Sequence, residues 1–229
     1  MGLTIYYQFI FKNATITQVR EKILALRNLA LQLNFIRVDE LVELAGDTCY
    51  FDKDNVDDPH IFMKIRALKP IEMAINGFSW ENSTYIIGFN SLPLEGSETP
   101  IFGLATHSEI QEFNDWSWTG FCKTQYASNP EYGGLENFLK CHLMIVKMLD
   151  AACELGITCS VNDETGYWEH RNIEELAKIV HQHNLLIAGL TGKIKDDLAA
   201  EGIVSAVAPI FDYPNFEYLE ALGKQTPDL

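Results

Sequence analysis

Nowhere in its 229 residues does the chain place three basic residues in a row. Lys and Arg total 17 against 32 Asp and Glu, a formal net charge of −15. That field repels a phosphate backbone or an anionic membrane surface unless a local basic patch overcomes it, and the basic residues are scattered. Neither nucleic acid nor a membrane is expected as a partner. Long hydrophobic runs are missing too, none approaching the roughly 20 apolar residues of a membrane-spanning helix. No basic segment followed by an apolar stretch opens the chain, so no secretion signal is expected. Met1-Gly2 lacks the Ser or Thr that myristoylation wants, Tyr6 standing in its place. The five cysteines, Cys49, Cys122, Cys141, Cys153 and Cys159, are odd in number and contain no C-x-x-C pair. They read as reduced thiols, which places the protein in the cytoplasm, with Cys141, Cys153 and Cys159 expected as small core residues.

Familiar site motifs are absent as well. No G-x-G-x-x-G, G-x-S-x-G or H-E-x-x-H occurs, so no cofactor is indicated and no metal is assigned. Gly189-Leu190-Thr191-Gly192-Lys193-Ile194 has too short a glycine spacing for a phosphate loop, and Ile194 replaces its Ser or Thr. His181 and His183 face opposite sides of a helix. Asp52 to Asp58 has the oxygen density of a calcium loop, but Asp57 stands where its Gly belongs and Met63 where its closing Glu belongs, so a solvated acidic loop is the reading.

What is present is an ordinary globular composition, 47% hydrophobic and 21% charged. Leu3, Ile5, Tyr7, Phe9 and Phe11 alternate as a half-buried strand. Thr15 and Gln18 form a capping box for a helix carrying Val19, Ile23, Leu26, Ala30 and Leu33. Ile36, Val38, Val42 and Leu44 predict a second strand, so the chain opens β-α-β. Asp58-Pro59 starts a short helix with Ile61, Phe62, Ile65 and Leu68 on its stripe. Residues 71–78 and 85–89 predict strands joined by a hairpin at 79–83, and 101–105 and 116–126 predict further strands. Leu135 to about Leu155 is apolar nearly all round, the mark of a buried central helix, and Gly156 ends it. Residues 157–161 and 203–208 read as strands, 172–200 as a long helix with Gly189 and Gly192 weakening its middle, and 215–222 as a short terminal helix. The fold class is α+β: a mixed or antiparallel sheet opened by β-α-β, with the 135–155 helix central and the 172–200 helix beside it. A single domain over 1–229 is expected, the alternative being two lobes split near 91–100.

Reactive side chains concentrate around the central helix. His142 lies on its apolar stripe. A buried imidazole needs a partner, and Cys122 as nucleophile, with a carboxylate from 163–169 such as Glu169 orienting the ring, is the catalytic arrangement to look for. The alternative is a core histidine bonded to a carbonyl. Trp116 and Trp118 share one strand face, with Gly120 leaving room beside them, so either a stacking cleft or core packing follows. Asp163 to Glu169 is a turn whose acids flank Tyr167 and Trp168, either a ligand-holding set or acids facing the next helix N-terminus. If the 116–126 strand and the 163–170 turn converge, Lys123 would pair with an anion, Gln125, Tyr126 and Asp163 would hydrogen-bond, and Trp118 and Trp168 would stack.

The segment from Phe121 to about Asn172 resembles a family of uncharacterised bacterial proteins. The resemblance rests on Phe121-Cys122-Lys123-Thr124-Gln125-Tyr126-Ala127-Ser128, on Cys141-His142, and on the acidic-Gly-Tyr-Trp-Glu turn at 163–169. It implies no activity, ligand or partner. Two function classes stand. One is a cytoplasmic small-molecule binder or enzyme using the pocket just described. The other is a non-catalytic interaction module whose acidic surface holds a basic protein. Oligomeric state is not legible from the residues.

Overall fold

The computed structural model describes residues 3–73, 77–200 and 208–225. Its first strand, β1 (Thr4–Ala14), buries Ile5, Tyr7 and Phe9 on alternate positions. The capping box forms as its residues dictate: the Thr15 hydroxyl accepts the Gln18 N–H, and the Gln18 side chain accepts the Thr15 N–H. It launches α1 (Ile16–Gln32), which buries Val19, Ile23, Leu26 and Ala30. The predicted second strand is two short ones, β2 (Arg37–Val38) and β3 (Val42–Ala45), both paired to one later strand. Then come α2 (Ile61–Arg66), β4 (Lys69–Met73), β5 (Gly77–Glu81), β6 (Tyr85–Leu92), β7 (Ile101–Thr106) and β8 (Asn114–Lys123). The chain continues through α3 (Gly134–Glu154), β9 (Thr158–Asp163), α4 (Tyr167–His170), α5 (Ile173–Ala200) and α6 (Phe216–Gln225).

The fold is α+β. Its main sheet has seven strands in the order β2-β6-β7-β8-β1-β9, with β3 also on β6, and the pairings are antiparallel. The core joins Ile5, Tyr7 and Phe9 to the buried stripe of α1 and to Ile145, Val146, Met148, Leu149 and Ala152 of α3. Helix α3 is not buried all round, as its composition suggested. Lys140 and Lys147 mark a solvent face, and Leu135 and Cys153 are exposed.

Two further expectations change, those for 79–83 and for the phase of α2. Residues 79–83 make no hairpin, because β5 pairs antiparallel with β4; residues 74–76 lie outside the described ones. Residues 93–100 join β6 and β7, which are hydrogen-bonded neighbours from Tyr85↔Thr106 to Asn90↔Ile101. The strand predicted at 203–208 falls almost wholly outside the described residues, and Ala208 is not in a strand. Helix α2 turns Met63 and Ala67 inward and leaves Phe62 68% exposed, so the apolar stripe read from sequence was out of phase.

Some glycines serve close packing. A Cβ on Gly189 of α5 would lie 2.7 Å from the Gly223 carbonyl carbon of α6, so these residues let two helix backbones touch. On β8 the space beside Gly120 is no cleft. The Tyr7 ring occupies it, and Tyr7 stands directly opposite Gly120 in the β1–β8 register.

Candidate functional site

Inward-facing positions of β8 continue past its end. After Trp116, Trp118 and Cys122 the next is Thr124, whose hydroxyl meets His142 Nδ1 of α3 at 3.1 Å. Nε2 of the same ring lies 3.1 Å from Asp163 Oδ2 at the end of β9. Nε2–H donating to the carboxylate leaves Nδ1 to accept the Thr124 proton, the tautomer the network requires. Asp163 also accepts the Thr165 N–H (2.9 Å), the Thr165 hydroxyl (2.8 Å) and the Trp168 N–H (3.0 Å). Burial pushes the Asp163 carboxyl up, but its bonds to His142 and Thr165 outweigh burial and hold it below the usual carboxylate range.

Hydroxyl, imidazole and carboxylate here have the connectivity of a hydrolytic triad. They lack its access. Thr124 and His142 are both 0% exposed, so no substrate carbonyl reaches the hydroxyl. What the cluster does is join the end of β8, the middle of α3 and the turn after β9. A second buried chain continues it: Gln125 accepts the Leu3 N–H and donates to Asn184 Oδ1 of α5, and Asn184 donates to Ser128 Oγ.

The residues predicted to form one pocket are therefore dispersed. Strand β1 runs between β8 and β9, and Ile5 pairs with Cys122 on one side and Asp163 on the other. The His142 partner is Thr124 in place of Cys122, and its carboxylate is Asp163 in place of Glu169. The Cys122 thiol bonds to the Glu98 carbonyl, and burial raises its pKa well above normal, the opposite of an activated thiol. Trp118 is buried with its N–H on the Ile101 carbonyl (2.9 Å), while Trp168 lies under the Arg171 guanidinium at 4.5 Å. Gln125 is enclosed, Tyr126 is half-buried, and Glu169 faces solvent. Lys123 sits 3.7 Å from Glu98. Two core expectations for the cysteines fail: Cys153 is exposed and Cys159 half-buried. In the acidic loop Asp58 is committed to Lys64 at 2.5 Å, and no cluster of three or more metal-ligating side chains occurs among the described residues.

An accessible concavity lies elsewhere, between α2 and strands β6 to β8. It encloses about 460 Å³, near the low end of the roughly 300–1,000 Å³ of small-molecule sites. Phe62, Met63, Ile101 and Phe121 give it apolar walls, and Arg66, Glu98 and Thr99 bring polar groups. The Arg66 guanidinium is half-buried and stacked 3.6 Å over the Phe121 ring. Among the described residues it has no side-chain hydrogen bond and no carboxylate within 4.0 Å. Burial lowers its pKa, yet guanidinium stays charged. Arg37 at the rim is paired to Asp39 at 3.3 Å.

No family model matches this chain, and neither a curated protein nor a solved structure does. No helix among the described residues is long and apolar enough to cross a membrane. Sequence reasoning missed Thr124 and Arg66. Thr124 continues the inward parity of β8, which was readable. Arg66 has Phe62, Met63, Lys69 and Pro70 at its i±3 and i±4 positions, so nothing on its own helix neutralises it.

Proposed function

We propose that the protein binds a small organic anion with an apolar body, in the cavity between α2 and strands β6 to β8. The observation that carries this is Arg66. A partly desolvated guanidinium with no carboxylate in contact among the described residues is costly in a protein interior. Stacking on Phe121 holds its plane while leaving its N–H donors free, the preparation for a bidentate carboxylate. Phe62, exposed at the wall, and Ile101 at the base would cover the apolar body. The reading retains the small-molecule class but moves the site away from the 116–126 strand and the 163–170 turn.

The test is calorimetric titration of 3-phenylpropionate into the wild type and Arg66→Leu. A hydrogen-bonded charged pair contributes about 1.5–3 kcal/mol, so the substitution should weaken binding about ten- to a hundredfold. Thermal melts establish that the variant is folded, and Arg66→Lys serves if it is not. Equal affinity in the folded variant, or no heat with the wild type, removes the proposal.

A further inference from the structure

Glu98 lies in the same cavity as Arg66, and its carboxylate is held there. The Glu98 N–H donates to the Lys123 carbonyl (3.0 Å), its carbonyl accepts the Cys122 thiol (3.5 Å), and its Oε2 accepts the Lys123 N–H (3.0 Å). The remaining oxygen has only a loose ion pair, 3.7 Å from Lys123 Nζ. Arg66 and Glu98 do not pair with each other, since no oxygen of Glu98 lies within 4.0 Å of the guanidinium. One cavity thus presents a cation and an anion that are not in contact, Glu98 acting on Arg66 only from beyond 4.0 Å, beside an apolar wall of Phe62, Met63, Ile101 and Phe121.

We infer that the ligand is a zwitterion, an α-amino acid with an apolar side chain. Its carboxylate lies on Arg66, its ammonium on Glu98, and its side chain against Phe62 and Ile101. This rests on the anion site proposed above and narrows it. Charge supplies an independent argument. A chain of net charge −15 repels a free carboxylate at long range, whereas a zwitterion carries no net charge and reaches the cavity unopposed. The Thr99 hydroxyl in the same lining adds a group that both donates and accepts.

L-phenylalanine, 3-phenylpropionate and phenethylamine share one apolar body and differ in which charges they carry. Calorimetric titration of each into the wild type should give L-phenylalanine the lowest Kd. Removing either charge should weaken binding about tenfold or more, as one charge-assisted hydrogen bond is lost. Glu98→Gln should weaken L-phenylalanine and, by removing a like charge beside the bound carboxylate, tighten 3-phenylpropionate. Should Glu98→Gln prove unfolded in a thermal melt, the wild-type ranking decides alone. If 3-phenylpropionate binds as tightly as L-phenylalanine, the zwitterion reading is overturned and the anion site stands. If phenethylamine binds tightest, or nothing binds, both readings fall.

Discussion

Replacing Asp163 with Ala tests the buried cluster as a structural clamp. The carboxylate accepts four hydrogen bonds, from His142 Nε2, the Thr165 N–H and hydroxyl, and the Trp168 N–H. Its side chain is fully enclosed, as is the His142 ring, so water does not replace it at the surface. Deleting a buried carboxylate leaves its donors unsatisfied at about 1–3 kcal/mol each, so a total of about 3–5 kcal/mol is expected. For a chain of this length each kcal/mol moves the melting temperature by about 2–4 °C, so Asp163→Ala should lower Tm by roughly 6–20 °C. Asp163→Asn should cost less. Its carbonyl can keep the Thr165 donors, and His142 can turn its other tautomer so that Nε2 accepts while Nδ1–H donates to Thr124. Only the Trp168 N–H then faces a donor. Differential scanning calorimetry of the three proteins checks the ordering. A Tm for Asp163→Ala within about 1 °C of wild type would refute the clamp, since that shift corresponds to less than about 0.5 kcal/mol.

The same carboxylate should make stability depend on pH. Its folded pKa is depressed, so its contribution is complete above the unfolded value near 3.9 and fades as pH falls through the folded pKa. Urea melts should therefore show the gap between wild type and Asp163→Asn wide at pH 7 and narrowing below about pH 4; a constant gap contradicts the assignment. Gly120→Ala pushes a methyl into the Tyr7 ring and should destabilise by about 1–3 kcal/mol in denaturant melts, and an unchanged midpoint would mean that the ring has room to move. Gly189→Ala should cost a similar amount by prising α6 from α5, with a neutral result showing that the two helix backbones are not in contact. With a thiol reagent Cys153 should react first and Cys122 last, because one is exposed and the other is enclosed with a raised pKa. Loss of the fast phase in Cys122→Ser instead of Cys153→Ser would reverse that reading.

Periodicity carried the longer elements and faltered on the short ones. The Thr15–Gln18 box, the stripe of α1 and the inward side of α3 are local patterns repeated over many residues, so their phase was readable. Helix α2 has six residues, too few to set its phase, and Phe62 was read inward where Met63 and Ala67 are. That error hid Arg66. His142 was placed in the core and an acid of the 163–169 turn beside it, but which acid depends on strand parity: Asp163 shares the inward side with Ile5, whereas Glu169 lies past it on α4. The composite pocket turned on where the strands lie relative to one another. Sequence order says nothing of spatial order, and β1, first in the chain, inserts between β8 and β9.

The most direct test of the ligand site is a methyl footprint. Heteronuclear NMR of protein labelled at the Met and Ile methyls, titrated with 3-phenylpropionate, reads the α2 cavity through Met63 and Ile101 and the α3–β9 region through Ile145, Met148 and Ile157. Progressive, saturable shifts at Met63 and Ile101, with the other three unmoved, are the predicted result. Shifts confined to Ile145, Met148 and Ile157 would place the ligand beside the His142 cluster and contradict the account.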